Sequence, residues 1–458
     1  MRNKPPQTDR RKLSSLKIVS YAGIVIGVIV FICVLTLLFF PGTLLNKYIK
    51  PRITKAFAEA YPAYSIRIAD MNYSVVMNRF RFDSIALRAV DGTFSSHMGL
   101  FSVSGIEWMH LLWGGTLGSK NLANADFDAQ GIEFNFPQSH YKFHCKQFHL
   151  SVPHSKMDAE SLELQPMAGD EEFFSGSTFR RTRLILVASR CSVKGLACLD
   201  LLQGKMYRTR FVQVHDAFLD LLVNKDKPDS RDTSGPLMPN EILSSIKKMI
   251  QIDSLSIMNG RLKYGERFVF GAKPAFITFD SMQVLAEGIA NRVGHDTVLV
   301  IHAQGVFVKA GTMKVAMTIP IASPVFSFHY SGSLSGMDLS PINSFLEISD
   351  QMRIKTGVLQ EATFDVNVVS GSASGTLRGI YRDLTLAAID KNTGSEKGFS
   401  NGFISFIANN FKIRRTNVPN KLGSMKIGEV KYMRVRDDPF IQFEWFALRT
   451  AVRDVVGF

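Results

Sequence analysis

The sequence predicts a mainly β protein that is tethered by an N-terminal transmembrane helix and carries a few amphipathic helices. Three observations support this class. A long uncharged stretch lies near the N-terminus, apolar and polar residues alternate with a period of two over most of the following chain, and turn-forming residues separate the alternating runs. Of the 458 residues, 46% are hydrophobic and 21% charged, which excludes a disordered or fibrous chain.

The uncharged stretch extends from Ile18 to Phe40, and its 23 residues can cross a hydrocarbon core of roughly 30 Å. It is too long for the apolar part of a signal peptide, and no small-x-small cleavage site follows it, so we expect an uncleaved anchor. Six basic residues precede it, which favours a cytoplasmic tail of residues 1–17. No second stretch of this kind follows, so a single-pass protein is expected.

Residues 41–64 are predicted to form a juxtamembrane helix. Four basic residues alternate there with apolar residues at helical spacing. The apolar residues are Leu44, Leu45, Tyr48, Ile49, Ile53 and Phe57. Two interpretations stay open: an amphipathic helix among the lipid headgroups, or a plain helical stalk whose lysines are solvated.

The basic excess lies at the two ends of the chain. The formal net charge is +14, yet residues 1–60 and 412–436 hold 18 of the lysines and arginines against three acidic residues. Residues 61–411 are therefore close to neutral. This argues against a nucleic-acid-binding protein, which needs a basic stripe on its folded domain.

From Ser65 onward the period of two is typical of half-buried strands. Two β regions are predicted, at 65–223 and 241–397, and a polar loop or linker at 224–240 contains three prolines between them. Short turns are predicted at several pairs, so that neighbouring strands run antiparallel. These pairs are Asp91-Gly92, Asn259-Gly260, Ser331-Gly332 and Ser335-Gly336.

A loose internal repeat links three of the predicted strand segments. Residues 255–264 align with residues 212–221, and residues 127–134 form a shorter third copy. Each copy places two inward apolar residues before a turn-like pair and two more after it. This indicates a repeating β architecture rather than a closed sandwich, although ordinary hairpins of unrelated β domains remain the alternative.

Helical patterns are confined to a few segments. One is predicted at 241–251, and residues 398–458 are predicted to hold amphipathic helices at 398–411 and 440–456 around a basic segment. This C-terminal region could dock on an anionic membrane or a partner, or its helices could cover the exposed edge of a sheet. The candidate docking residues are Phe399, Phe403, Phe406, Arg414, Arg415 and Trp445.

The chain lacks the sequence signatures of catalysis, since no P-loop, dinucleotide fingerprint, nucleophile elbow or zinc-protease motif occurs. We therefore expect a protein that is not an enzyme and takes no cofactor. A cluster of potential metal ligands is divided between the two faces of a strand, which favours solvated histidines over a metal site. The cluster is His140, His144, Cys145, His149 and His154.

Four cysteines occur, and Cys33 lies in the predicted membrane span. The other three, Cys145, Cys191 and Cys198, are expected to be buried free thiols. A bridge between Cys191 and Cys198 across a tight hairpin is the alternative.

Short motifs at both ends of the chain and in its middle resemble one protein family. They are YSGSLSGMDLSPIN at 330–343, IKTG at 354–357, residues 375–384, the aromatic tail up to Phe458, residues 66–74 and 82–92 after the anchor, and IDSLSIMNG at 252–260. In these segments the chain resembles AsmA-like proteins. The resemblance implies a protein of the bacterial inner membrane with a cytoplasmic N-terminus and its bulk in the periplasm.

The same resemblance implies an elongated, curved, open antiparallel β-sheet groove, taco-like in section, whose apolar inner face carries lipid between membranes. With about 18 strands at ~4.8 Å spacing, such a groove would be roughly 85 Å long. This chain is short compared with the longer members of the family, which bridge the two membranes. A partner at the far end, or a shuttle role, is then needed.

We therefore expect a periplasmic protein that binds phospholipids or other acyl lipids, transfers them between inner and outer membrane, and supports outer-membrane biogenesis. Expected partners are the inner membrane and an outer-membrane or periplasmic protein at the C-terminal end, but no nucleic acid. The alternative is a membrane-tethered envelope scaffold or assembly factor that binds another protein and no lipid. The residues expected to contact lipid are Leu255, Ile257, Leu262, Phe276, Ile277, Val306, Val315, Phe326 and Phe364.

Overall fold

The structure is a computed structural model that describes residues 41–106, 119–229, 236–292, 297–323, 325–390, 413–436 and 438–457. The chain divides into two compact units, Met1–Gln130 and Gly131–Phe458. The predicted cytoplasmic tail, the predicted anchor at 18–40 and the predicted helix at 398–411 lie outside the described residues. None of the helices within the described ranges is long and apolar enough to span a membrane.

The first unit begins with helical residues 41–60 and continues into strands. The helical residues form α1 (Pro41–Leu44), a π-helical turn (Leu45–Ile49) and α2 (Lys50–Ala60). Strands β1 (Tyr64–Ser74), β2 (Arg79–Ala89) and β3 (Ser95–Ser104) pair antiparallel in this order. A 3₁₀ turn, Ser119–Leu122, precedes β4 (Asp126–Phe136), which crosses the division between the units.

The side chain of Asn46 pairs with the backbone of β1. Its Oδ1 accepts a hydrogen bond from the Met71 N–H at 3.0 Å, and its Nδ2 donates to the Met71 carbonyl at 3.0 Å. Lys50 Nζ also donates to the Ala69 carbonyl at 2.9 Å. The helical segment thereby satisfies backbone groups along this strand that would otherwise be open to pairing with another chain.

The second unit contains most of the strands. They are β5 (Tyr141–Ser151), β6 (Lys156–Pro166), β7 (Thr182–Lys194), β8 (Met206–His215), β9 (Phe218–Asn224), β10 (Met249–Arg267), β11 (Ala275–Ala290), β12 (Val298–Phe307), β13 (Gly311–Pro320), β14 (Phe328–Asp338), β15 (Met352–Val369), β16 (Ser372–Ala388) and β17 (Gly428–Met433). The helices are α3 (Asp170–Ser175), α4 (Cys198–Leu202), α5 (Pro239–Ser245), α6 (Asn343–Ser349) and α7 (Phe440–Val456), with a 3₁₀ turn at Ser340–Ile342.

Pairing in the second unit is antiparallel with two exceptions, both at β10. Strands β5, β6 and β7 pair in order, β7 pairs with both β8 and β9, and β10 through β17 pair in order. However, β8 and β9 both run parallel to β10. The expectation that all neighbours are antiparallel was therefore wrong here. The reason is the long return through α5, because a parallel pair needs a crossover rather than a tight turn.

Three of the four predicted turns lie inside strands. Asp91-Gly92 does form the turn between β2 and β3, but Asn259-Gly260 lies within β10, and Ser331-Gly332 and Ser335-Gly336 lie within β14. At Gly332, a Cβ atom would lie 2.4 Å from the Lys314 carbonyl oxygen and from the Phe364 ring. Glycine is needed there for a close approach of neighbouring strands and not for a turn.

A line of left-handed residues, which we call the seam, crosses the sheet of the second unit. Ser161 in β6, Asp216 between β8 and β9, Asn259 in β10 and Ser281 in β11 have φ angles of 52°, 51°, 56° and 50°. Asn259 Nδ2 and Ser189 Oγ donate to the two carboxylate oxygens of Asp216, both at 2.6 Å. Such bulges bend a strand and change which face the following side chains occupy.

The seam explains the internal repeat found in the sequence. Leu255 pairs with Val212 and Tyr264 pairs with Leu221, so the two aligned segments lie side by side in the register of the alignment. Their left-handed residues, Asp216 and Asn259, also occupy equivalent positions. In these two copies apolar residues do lie on each side of the turn-like pair, which is a bulge and not a hairpin turn.

The C-terminal helix α7 packs on β16 and β17 and covers the free edge of β17. This helix was predicted at 440–456 and is confirmed at those residues. Asp454 Oδ2 accepts a hydrogen bond from the Glu429 N–H, and Thr450 Oγ1 accepts one from the Lys431 N–H, both at 3.1 Å. The predicted helix at 241–251 is shorter than expected, since α5 ends at Ser245 and β10 begins at Met249.

Candidate functional site

One face of the second unit's sheet carries apolar side chains in continuous rows across many strands. Directly paired residues of neighbouring strands point to the same face, so a chain of pairings traces a row on one surface. The first apolar row crosses twelve strands and is Leu150, Met157, Val193, Val212, Leu255, Ala286, Ile301, Met317, Tyr330, Val366, Gly375 and Val430.

The second apolar row lies beside the first, two residues along each strand, and crosses the same twelve strands. It is Phe148, Ala159, Cys191, Val214, Ile257, Val284, Ala303, Val315, Gly332, Phe364, Leu377 and Gly428. No charged side chain interrupts either row. Twelve strands at ~4.8 Å spacing give the pair of rows a length of roughly 50 Å.

A third apolar row lies on the other side of the seam. It is Phe143, Leu164, Leu186, Leu219, Leu262, Phe279 and Phe307. The Phe134 ring extends it into β4 by stacking on Phe143 at a centroid distance of 5.8 Å. Leu255 and Leu262 are seven residues apart and would face opposite ways in a regular strand, so the bulge at Asn259 is what brings the three rows together. We call this surface the apolar face.

The opposite face of the same strands carries charged side chains in pairs. Arg183, whose side chain is 5% exposed, contacts Asp170 at 3.0 Å and Asp220 at 2.9 Å, and Lys263 Nζ lies 3.4 Å from Asp220. Buried charges need partners of this kind because leaving one unpaired is costly. The two faces therefore differ in chemistry, because charged pairs occur on one and are absent from the apolar rows of the other.

The helix α7 covers the C-terminal end of the apolar face, whereas the face is more exposed toward β7. Under α7, Val366 and Val430 are 0% and 1% exposed, and Phe443, Ala447 and Ala451 of the helix are fully buried against them. Toward β7 the same face is open, and Leu186 of the third row is 42% exposed. In the second row, every residue from Cys191 to Val315 remains only part-buried.

A cavity of about 340 Å³ lies between the apolar face and α7. Its walls combine strand residues of β10 to β15 with one side of α7, including Ile441, Trp445 and Leu448. A second recess of about 700 Å³ lies on the opposite face of the same strands, where side chains such as Ser256, His302 and Lys314 line it. The volume of about 340 Å³ of the cavity under α7 falls in the range of sites that hold small apolar ligands.

Few polar groups line the cavity. Glu444 of α7 is the one acidic residue among the described lining residues, and burial raises its pKa to about 8. Tyr264 donates a hydrogen bond to Glu266 at 2.7 Å, and the Tyr330 hydroxyl faces the Glu444 carbonyl oxygen at 3.4 Å. Burial, more than the neighbouring carboxylates, raises the pKa of both tyrosines, so both hydroxyls stay neutral. The lining is therefore uncharged at neutral pH.

No protein-family model and no curated protein matches this chain. The likeness to AsmA-like proteins rests on the short motifs in the sequence.

The nine residues expected to contact lipid fall into three groups. Six belong to the apolar face or the cavity wall: Leu255, Ile257, Leu262, Ile277, Val315 and Phe364. Phe326 packs in the core against Phe328 and Phe443, away from the cavity under α7. Phe276 and Val306 lie on the opposite face, with Phe276 under the Lys263 ammonium and Val306 paired with Asp280.

The candidate docking residues are dispersed. Trp445 lines the cavity, whereas Arg414 Nη1 donates to the Val455 carbonyl at the end of α7 and Arg415 is exposed. Phe399, Phe403 and Phe406 lie outside the described residues. Of the two interpretations for the tail, the contacts of α7 with β17 match the covering of a sheet edge.

The histidines and cysteines do not converge on a site. Within the described ranges, no three His, Cys, Asp or Glu side chains are placed to hold a metal ion. Cys145, Cys191 and Cys198 are free thiols, so the alternative of a bridge between Cys191 and Cys198 is wrong for this structure. Burial raises the pKa of all three thiols, which makes them poor nucleophiles at neutral pH.

Several lining residues escaped the sequence analysis. Phe279, Phe307, Met317 and Tyr330 also line the cavity. The bulge at Ser281 breaks the alternation that would have assigned Phe279 to this face, and for the other three the regular alternation alone does not show which face is inward. Glu444 was also missed. An acid among aromatic residues on a predicted helix was a signal that could have identified it.

Proposed function

We propose that the second unit binds acyl lipid along its apolar face and that the protein transfers phospholipid between inner and outer membrane. The observation that carries this proposal is the continuity of the two long apolar rows across twelve strands, with part-exposed side chains from β7 to β13. Exposed apolar surface on this scale is unfavourable in water unless a ligand or partner covers it.

An extended row suits an acyl chain better than a compact ligand. The side chains are aliphatic or aromatic and present no charge along the rows, so a hydrocarbon chain can occupy many positions at similar free energy. Such a surface supports movement along the sheet, because no single position holds the chain by a fixed set of hydrogen bonds. The cavity under α7 lies near the C-terminal end of this surface.

The cellular setting belongs to the same proposal. The predicted anchor at 18–40 would hold the chain in a bacterial inner membrane with its bulk in the periplasm, where it would support outer-membrane biogenesis. A partner at the C-terminal end, or a shuttle mechanism, would complete the transfer. We propose no catalytic role and no cofactor.

Lipid mass spectrometry of the full chain tests the binding step. The protein is extracted in mild detergent, purified, and its bound lipids are quantified against an abundant membrane protein of similar size prepared in parallel. Stoichiometric phospholipid above that control supports the proposal. Lipid at or below the control level overturns it and favours the scaffold alternative, in which a protein partner covers the apolar face.

A further inference from the structure

Glu444 is out of place among the residues that line the cavity. It lies on the side of α7 that faces the sheet, and the lining around it is contributed by residues such as Ile277, Ile301 and Leu448. Its Oε1 atom is fully buried, and no group of the described residues is placed to hydrogen-bond with it. An unpaired carboxyl group in such surroundings is unfavourable.

The other polar groups at the cavity do not supply a partner for Oε1. The Tyr264 hydroxyl donates to Glu266, and the Tyr330 hydroxyl faces the Glu444 backbone carbonyl and not its side chain. Gln304 Nε2 donates to Gln283 at 2.8 Å. A single water is a poor substitute, because a buried water needs two to four polar partners and the nearby walls are mostly apolar.

A protonated carboxyl group is a hydrogen-bond donor, and this decides the kind of ligand that would satisfy it. Burial raises the pKa of Glu444 to about 8 and keeps it neutral at neutral pH. The other titratable groups that line the cavity, Tyr264 and Tyr330, supply no cation that would favour its ionised form. A neutral donor in an apolar cavity is complementary to a carbonyl oxygen that is joined directly to a hydrocarbon chain.

We propose that Glu444 donates a hydrogen bond to the ester carbonyl of an acyl lipid whose chain lies in the cavity under α7. This rests on the proposed lipid-binding function and narrows its ligand class to ester-linked acyl lipids. A plain hydrocarbon or an ether-linked lipid leaves the carboxyl group unpaired and binds less tightly.

Competition between two lipids that differ only in the carbonyl group tests the proposal. The purified full chain in detergent is exchanged against an equimolar mixture of ester-linked and ether-linked phosphatidylcholine with equal chain lengths, and native mass spectrometry counts the two bound species. We expect enrichment of the ester-linked lipid by about 3- to 10-fold, as one net hydrogen bond provides. Glu444→Leu should reduce the ratio to near one, and Glu444→Gln, which keeps a donor, should preserve it.

A pH series separates a donor role from a merely structural one. Above about pH 9 the wild-type carboxyl group ionises, so its preference for the ester should fall while that of Glu444→Gln stays constant. A wild-type ratio near one, or a preference that survives in Glu444→Leu, overturns this inference alone. Absence of both lipids from every variant overturns the proposed function together with it.

Discussion

At the residue scale, single left-handed residues decide which side chains reach the apolar face. Ser281 and Asn259 lie inside β11 and β10 with φ angles of 50° and 56°. Ser281 adds a residue to β11 relative to β12, whereas Asn259 lies level with the left-handed Asp216 of the neighbouring strand pair and leaves that register unchanged. Both positions reverse the alternation of the side chains that follow. Without these positions, Leu262 and Phe279 would face the polar side of the sheet, and the third apolar row would not form.

Substitutions at Ser281 should report this backbone requirement. Valine is strongly disfavoured at positive φ, so Ser281→Val should lower the free energy of unfolding by about 1–2 kcal/mol, whereas Ser281→Gly should change it far less. The measurement is the urea midpoint of the purified chain. Ser374→Val is the matched control, because Ser374 is an exposed strand residue without a positive φ. Equal effects of valine at both positions would contradict the account.

Glu444 should make stability depend on pH in an identifiable direction. Its folded-state pKa is raised to about 8, above the value of about 4.3 for an unfolded chain. The folded protein therefore keeps a proton that the unfolded chain releases, and this contribution to stability is lost as pH rises through that window.

Glu444→Gln has no such proton to lose. Its free energy of unfolding should gain on that of the wild type steadily from about pH 5 to about pH 8. Parallel urea titrations at several pH values provide the comparison. A difference between the two proteins that stays constant over this range would show that the carboxyl group is not buried as described.

At the element scale, α7 has two roles. It closes the apolar face over β14 to β17, where a dry core forms, and it supplies one wall of the cavity beside that core. Its docking depends on Gly428, at which a Cβ atom would lie 2.2 Å from the Ala451 carbonyl oxygen and 2.7 Å from Val455. Helix and strand can approach this closely only because glycine has no side chain.

Gly428→Ala should therefore displace α7 and destabilise the C-terminal core, by about 1–3 kcal/mol as is usual for overpacking. Gly379→Ala in β16 is the control, since a Cβ atom there would meet only a Leu377 methyl group at 3.7 Å. Limited proteolysis of the tail and denaturant unfolding measure the two effects. If both variants behave alike, the close packing of α7 is not a determinant of the fold.

The edge contacts of α7 should weaken in acid. The hydrogen bond from Lys426 is the main reason that the pKa of Asp454 lies below its ordinary value. A lowered carboxylate pKa contributes stability above the unfolded value, and that contribution is lost as pH falls through the folded one. Asp454→Asn should speed hydrogen exchange of the Glu429 amide by about 2- to 10-fold at neutral pH. This difference should shrink in acid, and a pH-independent difference would contradict the assignment.

Local pattern predicted the strands well and their connections less well. The alignment of 255–264 with 212–221 reproduced the observed register, because both segments repeat the same apolar spacing around one bulge. The parallel direction of that pair could not be read from either segment, since it depends on the return path through α5. Asn259-Gly260 looked like a turn because bulges and turns both use residues that tolerate positive φ.

At the scale of the whole molecule, apolar surface is distributed unevenly between the two faces of the sheet. The body of the chain is nearly neutral, its strands separate a polar face with paired charges from an apolar face with continuous rows, and only part of the latter is filled by α7. The sequence predicted an apolar face but not which side chains lie on it. Phe276 and Val306 were selected by residue type alone, and pairing places both on the opposite side.

Site-specific photocrosslinking from β12 tests the central claim most directly. Ala303 and Val306 lie on one regular strand, three residues apart and therefore on opposite faces, with Ala303 in the second apolar row. A photoreactive amino acid is placed at each position of the full chain in cells, and adducts are analysed by mass spectrometry. The account predicts phospholipid adducts from position 303 and few from position 306. Equal yields from both positions, or no lipid from position 303, would contradict it.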